Sequence, residues 1–170
     1  MEHENIWAPW RMNYIRGIVK QNECFFCHNI QHPESDKENL LLWRTPHCAV
    51  MFNRYPYNNG HMLICPLRHV PNFEQTTDEE MIELVKLVRD MQKALKLAVN
   101  PHGFNVGVNI GRCAGAGVPE HLHIHVVPRW EGDTGFMSVC ADTEIISQSL
   151  EALYKELKDI SAKHNLPQLK

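Results

Sequence analysis

The sequence predicts an α+β fold with an antiparallel sheet of about five strands, a long central helix and a C-terminal helix. Two observations predict it. Short apolar runs bounded by turn-forming residues occur in clusters along the chain. Two longer stretches carry apolar residues at helical spacing. Because strands and helices do not alternate strictly, the pattern favours an antiparallel sheet over parallel βαβ units.

The first three strands are predicted as a meander. Apolar runs occupy residues 40–43, 49–52 and 62–65. The dipeptide Thr45-Pro46 separates the first two runs, and the segment Pro56–Gly60 separates the second from the third. Such turn formers between short apolar runs are typical of consecutive antiparallel strands.

The long helix is predicted over residues 78–98, where apolar residues recur near the 3.6-residue period. Thr77 can cap its first turn, with Glu80 completing a capping box. Asn100-Pro101 ends the helix. A second amphipathic helix is predicted over residues 143–164.

Two further strands are predicted between these helices, over residues 104–110 and 121–127, with a Gly-rich loop over 111–117 between them. The loop is neither a Walker A motif nor a dinucleotide-binding fingerprint. Its small residues and free backbone N–H groups suit an anion. The loop therefore favours the interpretation that the residues of the following strand act on a phosphate group.

Three histidines alternate with apolar residues at the start of that strand. Because alternate side chains share a face, we expect His121, His123 and His125 on one face, spaced ~6.5 to 7 Å apart, and the apolar residues in the core. Unpartnered imidazoles are costly to bury, so a functional face is favoured over a solvated one. That face can bind a metal, or its middle histidine can attack a phosphoryl group while its neighbours fix the tautomer and stabilise charge.

Composition excludes several classes of protein. The 170 residues carry a formal charge of −3, and 44% are hydrophobic, which is typical of a soluble globular protein. No clustered basic excess indicates a nucleic-acid partner, and no apolar stretch is long enough for a membrane span. The acidic N-terminus lacks a signal-peptide core. We therefore expect a cytoplasmic protein whose cysteines and histidines bind metal or act in catalysis rather than form disulfides.

Several segments resemble one known family. Asn109-Ile-Gly111, Ala114-Gly115 and the run His121–Arg129 resemble the signature of the histidine triad (HIT) superfamily of nucleotide hydrolases and transferases. Upstream, Phe52–Pro56 and Gly60–Arg68 resemble the ribose-binding strand pair of that family. Within the superfamily, bacterial diadenosine tetraphosphate phosphorylases are the most similar, through Ile6–Met12, Pro101–Asn105, Pro119-Glu120 and Pro128–Trp130.

The resemblance implies a histidine triad fold and a single domain over residues 1–170. It divides the domain into an N-terminal zinc-binding segment of about residues 1–35, a core of about 40–137 and the C-terminal helix. In this family the middle histidine, here His123, attacks the α-phosphate and forms a covalent nucleotidyl-histidine. Catalysis is thus assigned to His123 and His125. Nucleotide contacts are assigned to Asn53, His61, Asn109, Gly115, Ala116, Gly117 and His125.

The implied reaction is cleavage of an adenine dinucleoside polyphosphate, namely phosphorolysis of diadenosine tetraphosphate to ADP and ATP. Hydrolysis that releases a nucleoside monophosphate, from a dinucleoside polyphosphate or a phosphoramidate, is the alternative. Gly117 stands where relatives often carry Ser or Gln, which leaves the acceptor and the leaving group open. A nucleotide-binding regulatory module without turnover is a further alternative, and the intact histidines argue against it. Family members are usually homodimers, so a homodimer or larger homo-oligomer is expected.

Cys24-Phe-Phe-Cys27 has three interpretations: a redox pair, chance spacing, or half of a tetrahedral zinc site. The two intervening phenylalanines argue against a redox pair. The resemblance supplies the other two ligands, because zinc-bearing branches use the histidine of a Pro-x-x-His motif, here His69, and the first triad histidine, here His121. We therefore predict structural zinc at Cys24, Cys27, His69 and His121. A zinc-dependent interaction domain would leave His123, His125 and the Gly-rich loop unexplained.

Overall fold

The computed structural model describes residues 24–141 and 146–166. The motif Ile6–Met12 and most of the predicted zinc-binding segment lie outside these described residues, as do the first residues of the predicted C-terminal helix. All predicted triad and metal-ligand positions fall within them.

The described residues form five strands and four helices. The strands are β1 (Leu41–Arg44), β2 (Cys48–Phe52), β3 (Met62–Pro66), β4 (Gly103–Val108) and β5 (Ile124–Arg129). The helices are α1 (Phe25–Gln31), α2 (Asp78–Val99), α3 (Phe136–Ala141) and α4 (Leu150–His164). The predicted α+β class is confirmed. None of the described helices combines the length and the apolar character that crossing a membrane requires.

The five strands make one antiparallel sheet in the order β1-β2-β3-β5-β4. The first three strands form the predicted meander, and β5 enters between β3 and β4. His125 lies opposite Leu63 of β3 and Gly107 of β4. The third histidine of the motif therefore lies on an interior strand, with paired backbone on both sides.

The sheet packs on both faces, which explains why β2 and β3 are continuously apolar rather than alternating. Helices α2 and α4 cover one face, where the larger core includes Val50, Ile64 and Val126. The opposite face carries a smaller apolar cluster, called the second cluster below, of Phe26, Leu41, Ala49, Met51, Leu63 and Cys65.

Helix α2 has the predicted ends. The Thr77 hydroxyl accepts a hydrogen bond from the Glu80 amide, and the Glu80 carboxylate accepts one from the Thr77 amide, which completes the capping box. Asn100 adopts a left-handed conformation, with φ of +45°, and ends the helix before Pro101. The arrangement fixes where the chain enters β4.

Two predicted boundaries are wrong. The C-terminal helix begins at Leu150 rather than at 143, because residues 146–149 are not helical and the Ser149 side chain caps the first turn. Strand β5 begins at Ile124 rather than at 121. The Leu122 amide donates to the carbonyl of Val70, in a loop, at 2.6 Å, and the backbone pairing with β3 ends at Ile124.

Candidate active site and metal centre

Three histidines from two strand regions form one contact network. The ring centroids of His123 and His125 lie 4.9 Å apart, and those of His61 and His125 lie 5.2 Å apart. His61 is fully buried and His123 is 5% exposed. The rings of His123 and His125 are thus closer than the ~6.5 to 7 Å expected between alternate positions of a strand. His61 joins them across β3 and β5.

A glycine sets the position of His61. Gly60 has φ of +75°, and a Cβ atom there would lie 3.0 Å from Cδ2 of Leu95 and 3.2 Å from Cγ of Pro128. Any other residue would strain the backbone and clash with the core. The turn therefore delivers His61 to the start of β3 against the larger core.

The hydrogen bonds of His61 define its tautomer. The Tyr57 amide donates to Nδ1 of His61 at 3.1 Å, and the Asn53 side-chain amide lies 3.3 Å from the same atom. Nδ1 is therefore an acceptor, and the ring proton is on Nε2. Nε2 of His61 then donates to Nδ1 of His125 at 2.9 Å. This places the proton of His125 on its own Nε2.

Nε2 of His125 is buried and has no hydrogen-bond partner within the described chain. An N–H group without a partner in the protein is suited to donating to a phosphate oxygen. His61 thus supports His125 through one hydrogen bond, and its predicted contact with a nucleotide stays a prediction.

His123 has the opposite tautomer. Its Nδ1 donates to the backbone carbonyl of His121 at 2.7 Å, so Nε2 keeps its lone pair. Burial lowers the pKa of His123, against a smaller opposing effect from that hydrogen bond. The ring is therefore neutral at pH 7, the form in which an imidazole is a nucleophile. A nucleophilic nitrogen and a donor N–H lie on neighbouring rings.

Burial also lowers the pKa of His61 to about 3 and that of His125 to about 4, with nearby histidines adding to the effect. Both values lie below the ~6.5 of a histidine in the unfolded chain. Below pH ~6.5 the unfolded chain therefore binds more protons than the folded protein. The stability contributed by these two neutral rings is complete above that pH and is lost as the pH falls toward 3 to 4.

We expect the free energy of unfolding to fall by about 2 kcal/mol for each of these two histidines between pH 7 and pH 5. Thermal melts at a series of pH values measure this fall. His61→Gln should show a shallower dependence than the wild type, because one buried imidazole is removed. His164→Ala, which changes an exposed histidine of α4, should keep the wild-type dependence. An identical pH dependence in His61→Gln would contradict the assignment.

The Gly-rich loop differs from the prediction in one respect. Its Arg112–Ala114 segment is a 3₁₀ turn flanked by Gly111 and Gly115, whose φ angles are +81° and +86°. The amides of Gly115 and Ala116 donate to carbonyls of Arg112 and Gly111 within the loop. In this conformation these two amides are therefore satisfied within the loop. Within the described chain, the amide of Gly117 has no backbone acceptor.

The two predicted asparagines contact different parts of the site. Asn53 bonds His61 and accepts from the Tyr55 amide at 2.9 Å, at the end of β2. The side-chain nitrogen of Asn109 lies 4.0 Å from where a Cβ of Gly115 would be, so Asn109 lies against the Gly-rich loop. The structure thus connects Asn53 to the histidines and Asn109 to the loop.

The four predicted metal ligands lie together. The ligand atoms of Cys24, Cys27, His69 and His121 are all within 4.8 Å of one another. Nδ1 of His121 is 3.4 Å from the Sγ of Cys24 and 3.5 Å from that of Cys27, and Nδ1 of His69 is 3.2 Å from the Sγ of Cys27. Tetrahedral zinc with ordinary bond lengths separates a sulfur from a nitrogen ligand by about 3.5 Å. The donor set and its spacing therefore fit the metal.

The environment of His121 also fits a metal ligand. Its Nε2 donates to the carbonyl of Pro66 at 3.0 Å, which leaves the lone pair on Nδ1, the atom that faces the cysteines. Burial lowers the pKa of His121 to about 4, so the ring is neutral. His121 thus faces the Cys/His cluster with its side chain and holds His123 with its carbonyl.

Sequence reasoning did not identify three groups that shape the site. They are the Tyr57 amide, the Pro66 carbonyl and the ring of Phe26, which contacts the rings of His121 and His123. The first two are backbone groups, which no residue pattern reports. Phe26 was visible only as an apolar residue between two cysteines, and a contact with distant histidines has no local signal.

The chain is similar to several known proteins. A model of the HIT domain matches residues 34–132. The chain is 39% identical over 153 residues to AP-4-A phosphorylase of Mycobacterium tuberculosis, covering 86% of this chain and 78% of that protein. It is 31% identical over 135 residues to an uncharacterised HIT-like protein of Methanocaldococcus jannaschii, covering 79% and 98%.

Solved structures show the same fold. A hypothetical histidine triad nucleotide-binding protein of Sulfolobus tokodaii superposes with a TM-score of 0.66 at 29% identity, covering 82% of this chain and 93% of that one. A zinc-bound histidine triad family protein of Mycobacterium smegmatis superposes with a TM-score of 0.67 at 20% identity, covering 84% and 96%.

Proposed function

The chain belongs to the HIT family, and on this basis we propose that it cleaves dinucleoside polyphosphates, specifically diadenosine tetraphosphate by phosphorolysis to ADP and ATP. It is an enzyme that acts on nucleotides. One observation carries the finer proposal: the lone pair on Nε2 of His123 lies on a ring next to the Nε2–H of His125. The similarity to AP-4-A phosphorylase supports the choice of substrate.

In the first step, Nε2 of His123 attacks the α-phosphorus at one end of the substrate. The nitrogen–phosphorus bond forms as the bond to the bridging oxygen breaks, and ATP leaves with that bond's electron pair. Nδ1–H of His123 stays bonded to the His121 carbonyl, which stabilises the positive charge on the ring. Nε2–H of His125 donates to an oxygen of the transferring phosphate.

In the second step, inorganic phosphate attacks the nucleotidyl-histidine and displaces His123, which yields ADP and restores the neutral ring. Attack by water instead would yield AMP. We assign ribose binding to Asn53 and phosphate contacts to Asn109 and the Gly115–Gly117 loop. Of these three amides, that of Gly117 can donate to a phosphate oxygen without first losing a hydrogen bond within the loop.

The choice of acceptor is tested by incubating the metal-loaded protein with diadenosine tetraphosphate, with and without phosphate, and separating the products by chromatography. We expect ADP and ATP in equal amounts only when phosphate is present. Formation of AMP and ATP in the absence of phosphate would show that the enzyme is a hydrolase rather than a phosphorylase. No cleavage under either condition would overturn the proposed substrate.

His61 is expected to affect turnover through His125. His61→Ala removes the donor to Nδ1 of His125, so the proton of His125 is no longer held on Nε2 and kcat should fall by about 10²-fold. His61→Gln, which keeps a side-chain donor, should lose less. Steady-state kinetics of both variants measure the difference. Wild-type kcat in His61→Ala would show that His125 is oriented by other contacts.

We assign structural zinc to the Cys24, Cys27, His69 and His121 cluster. When bound, the metal supplies a cross-link that joins the start of α1 to the loops after β3 and before β5. A cytoplasmic location belongs to the same proposal, because a reducing compartment keeps both cysteines available as ligands.

A homodimer also belongs to the proposal. Strand β4 is at the edge of the sheet, and Val106 on it is 44% exposed. On α2, Ile82 and Val85 are 54% and 66% exposed. Edge strands and apolar surface of this kind are suited to a second copy of the chain. Sedimentation analysis at micromolar concentration measures the dimer, and a monomer at that concentration would refute this part.

A further inference from the structure

Phe26 links the Cys/His cluster to the active site. It lies between the two cysteines in sequence, at the start of α1, and it is fully buried. Its ring centroid is 5.0 Å from that of His121 and 4.9 Å from that of His123. One side chain therefore contacts both a predicted metal ligand and the proposed nucleophile.

The nucleophile needs such support. Within the described residues, one hydrogen bond holds the ring of His123, from its Nδ1 to the His121 carbonyl, and one such bond does not by itself fix the plane of the ring. The ring contacts within the described chain come from Phe26 and from His125. Contacts between aromatic rings at these separations are favourable. Phe26 thus packs against the ring of His123, whose Nε2 lone pair must face the substrate.

We infer that Phe26 is a positioning residue for His123 and that metal binding at the flanking cysteines holds Phe26 in place. This inference rests on the proposed nucleophilic role of His123. Cys24 and Cys27 would fix the chain on both sides of Phe26. His121 belongs to the same cluster, and its backbone carbonyl accepts the hydrogen bond from His123. The metal centre therefore acts on the nucleophile through one ring contact and one backbone hydrogen bond.

Two substitutions test the ring contact. Phe26→Ala removes the ring and Phe26→Leu keeps part of its volume, so Phe26→Leu reports on the contact if Phe26→Ala does not fold. Misplacing a reacting group by about 1 Å costs on the order of 10²-fold in rate. We expect kcat on diadenosine tetraphosphate to fall about 10- to 100-fold in Phe26→Ala, with KM changed less than about threefold, and to fall less in Phe26→Leu.

Phe25 provides the matched control. It stacks on Phe26 with ring centroids 4.0 Å apart and packs against the same second cluster. Within the described residues its ring contacts neither His121 nor His123. Phe25→Ala should therefore keep kcat within about threefold of the wild type. An equal loss in the Phe25 and Phe26 variants would overturn the inference, because the effect would then be one of general packing.

A second measurement does not depend on activity. Long-range ¹H–¹⁵N NMR spectra report which nitrogen of His123 carries the proton, in protein loaded with metal and free of substrate. We expect a fixed Nδ1–H form in the wild type and in Phe25→Ala, and a mixture of tautomers in Phe26→Ala and in wild-type protein stripped of metal by a chelator. These spectra remain informative if the enzyme acts on a different substrate, so failure of the substrate assignment is distinguishable from failure of this inference.

Elemental analysis completes the test. Phe26→Ala should retain the metal content of the wild type. A loaded Phe26→Ala protein with wild-type kcat and a fixed tautomer would overturn the inference, as would a folded metal-free protein that keeps the fixed tautomer. Loss of metal from both Phe26 variants would overturn it too, because Phe26 would then build the cluster rather than hold His123.

Discussion

His123→Gly is expected to lose turnover of diadenosine tetraphosphate by on the order of 10⁴-fold or more. The substitution removes the atom that would carry the nucleotide between the two steps. His125, His61 and the Gly-rich loop would remain, but Nδ1 of His61 and Nδ1 of His125 both accept hydrogen bonds, so neither ring could replace the lone pair of His123. The loss should therefore lie in kcat, with binding of an uncleavable analogue largely retained.

Two further measurements make this result specific to a nucleophile. With radiolabelled substrate, the wild type should form an acid-labile protein–nucleotide adduct that His123→Gly does not form. Added imidazole, which fits the space left by the ring, should restore part of the turnover. His164→Ala, at an exposed position, should match the wild type in both assays. Adduct formation or wild-type kcat in His123→Gly would refute covalent catalysis by this residue.

The sequence was sufficient to predict a nucleophilic histidine and a set of metal ligands because family motifs name them directly. Cys24 and His121 are 97 positions apart, and no local pattern joins them. The resemblance supplied that connection, and the structure places the four ligand atoms together. The burial of Leu122 and Ile124 also followed from the pattern, but His121 and His123 are buried as well, so the two faces do not differ in exposure at the start of β5.

The protonation pattern could not be predicted in the same way. It depends on the Tyr57 amide, the His121 carbonyl and the Pro66 carbonyl. Every residue carries a backbone carbonyl, and every residue except proline carries a backbone N–H. Which backbone group meets which ring nitrogen is decided by the turn before β3 and by the loop before β5. These are tertiary contacts, so the tautomers follow from the three-dimensional structure and not from the residue pattern.

The loop amides illustrate a different limit. A Gly-rich segment predicts amides that can bind an anion, and Gly111 and Gly115 do adopt left-handed conformations. The same freedom lets the loop close on itself, which satisfies the Gly115 and Ala116 amides internally. Composition predicts a flexible backbone. Whether the loop amides bond to loop carbonyls or to a phosphate depends on whether a phosphate is bound.

Loss of the metal centre is expected to have the largest effect on stability. Cys27→Ser should lower Tm by about 10 °C or more, since bound zinc would tie the start of α1 to the loops after β3 and before β5. Each kcal/mol lost shifts Tm by about 2–4 °C in a chain of this size. A strong chelator should produce a similar shift in the wild type. Cys140→Ser changes an exposed thiol outside the cluster and should leave both Tm and metal content unchanged.

The identity and role of the metal can be separated with two measurements. Elemental analysis should find one zinc per chain in the wild type and in Cys140→Ser, and none in Cys27→Ser. Cobalt bound in place of zinc should give the visible spectrum of a tetrahedral site with two thiolate ligands, because the cluster offers two sulfur and two nitrogen donors. If the wild-type protein contains no metal and a chelator leaves its Tm unchanged, the structural role of zinc is refuted. The four side chains would then be a hydrogen-bonded cluster in which Nδ1 of His121 accepts from a thiol, and the support of His123 would rest on the His121 carbonyl and the packing of Phe26 alone.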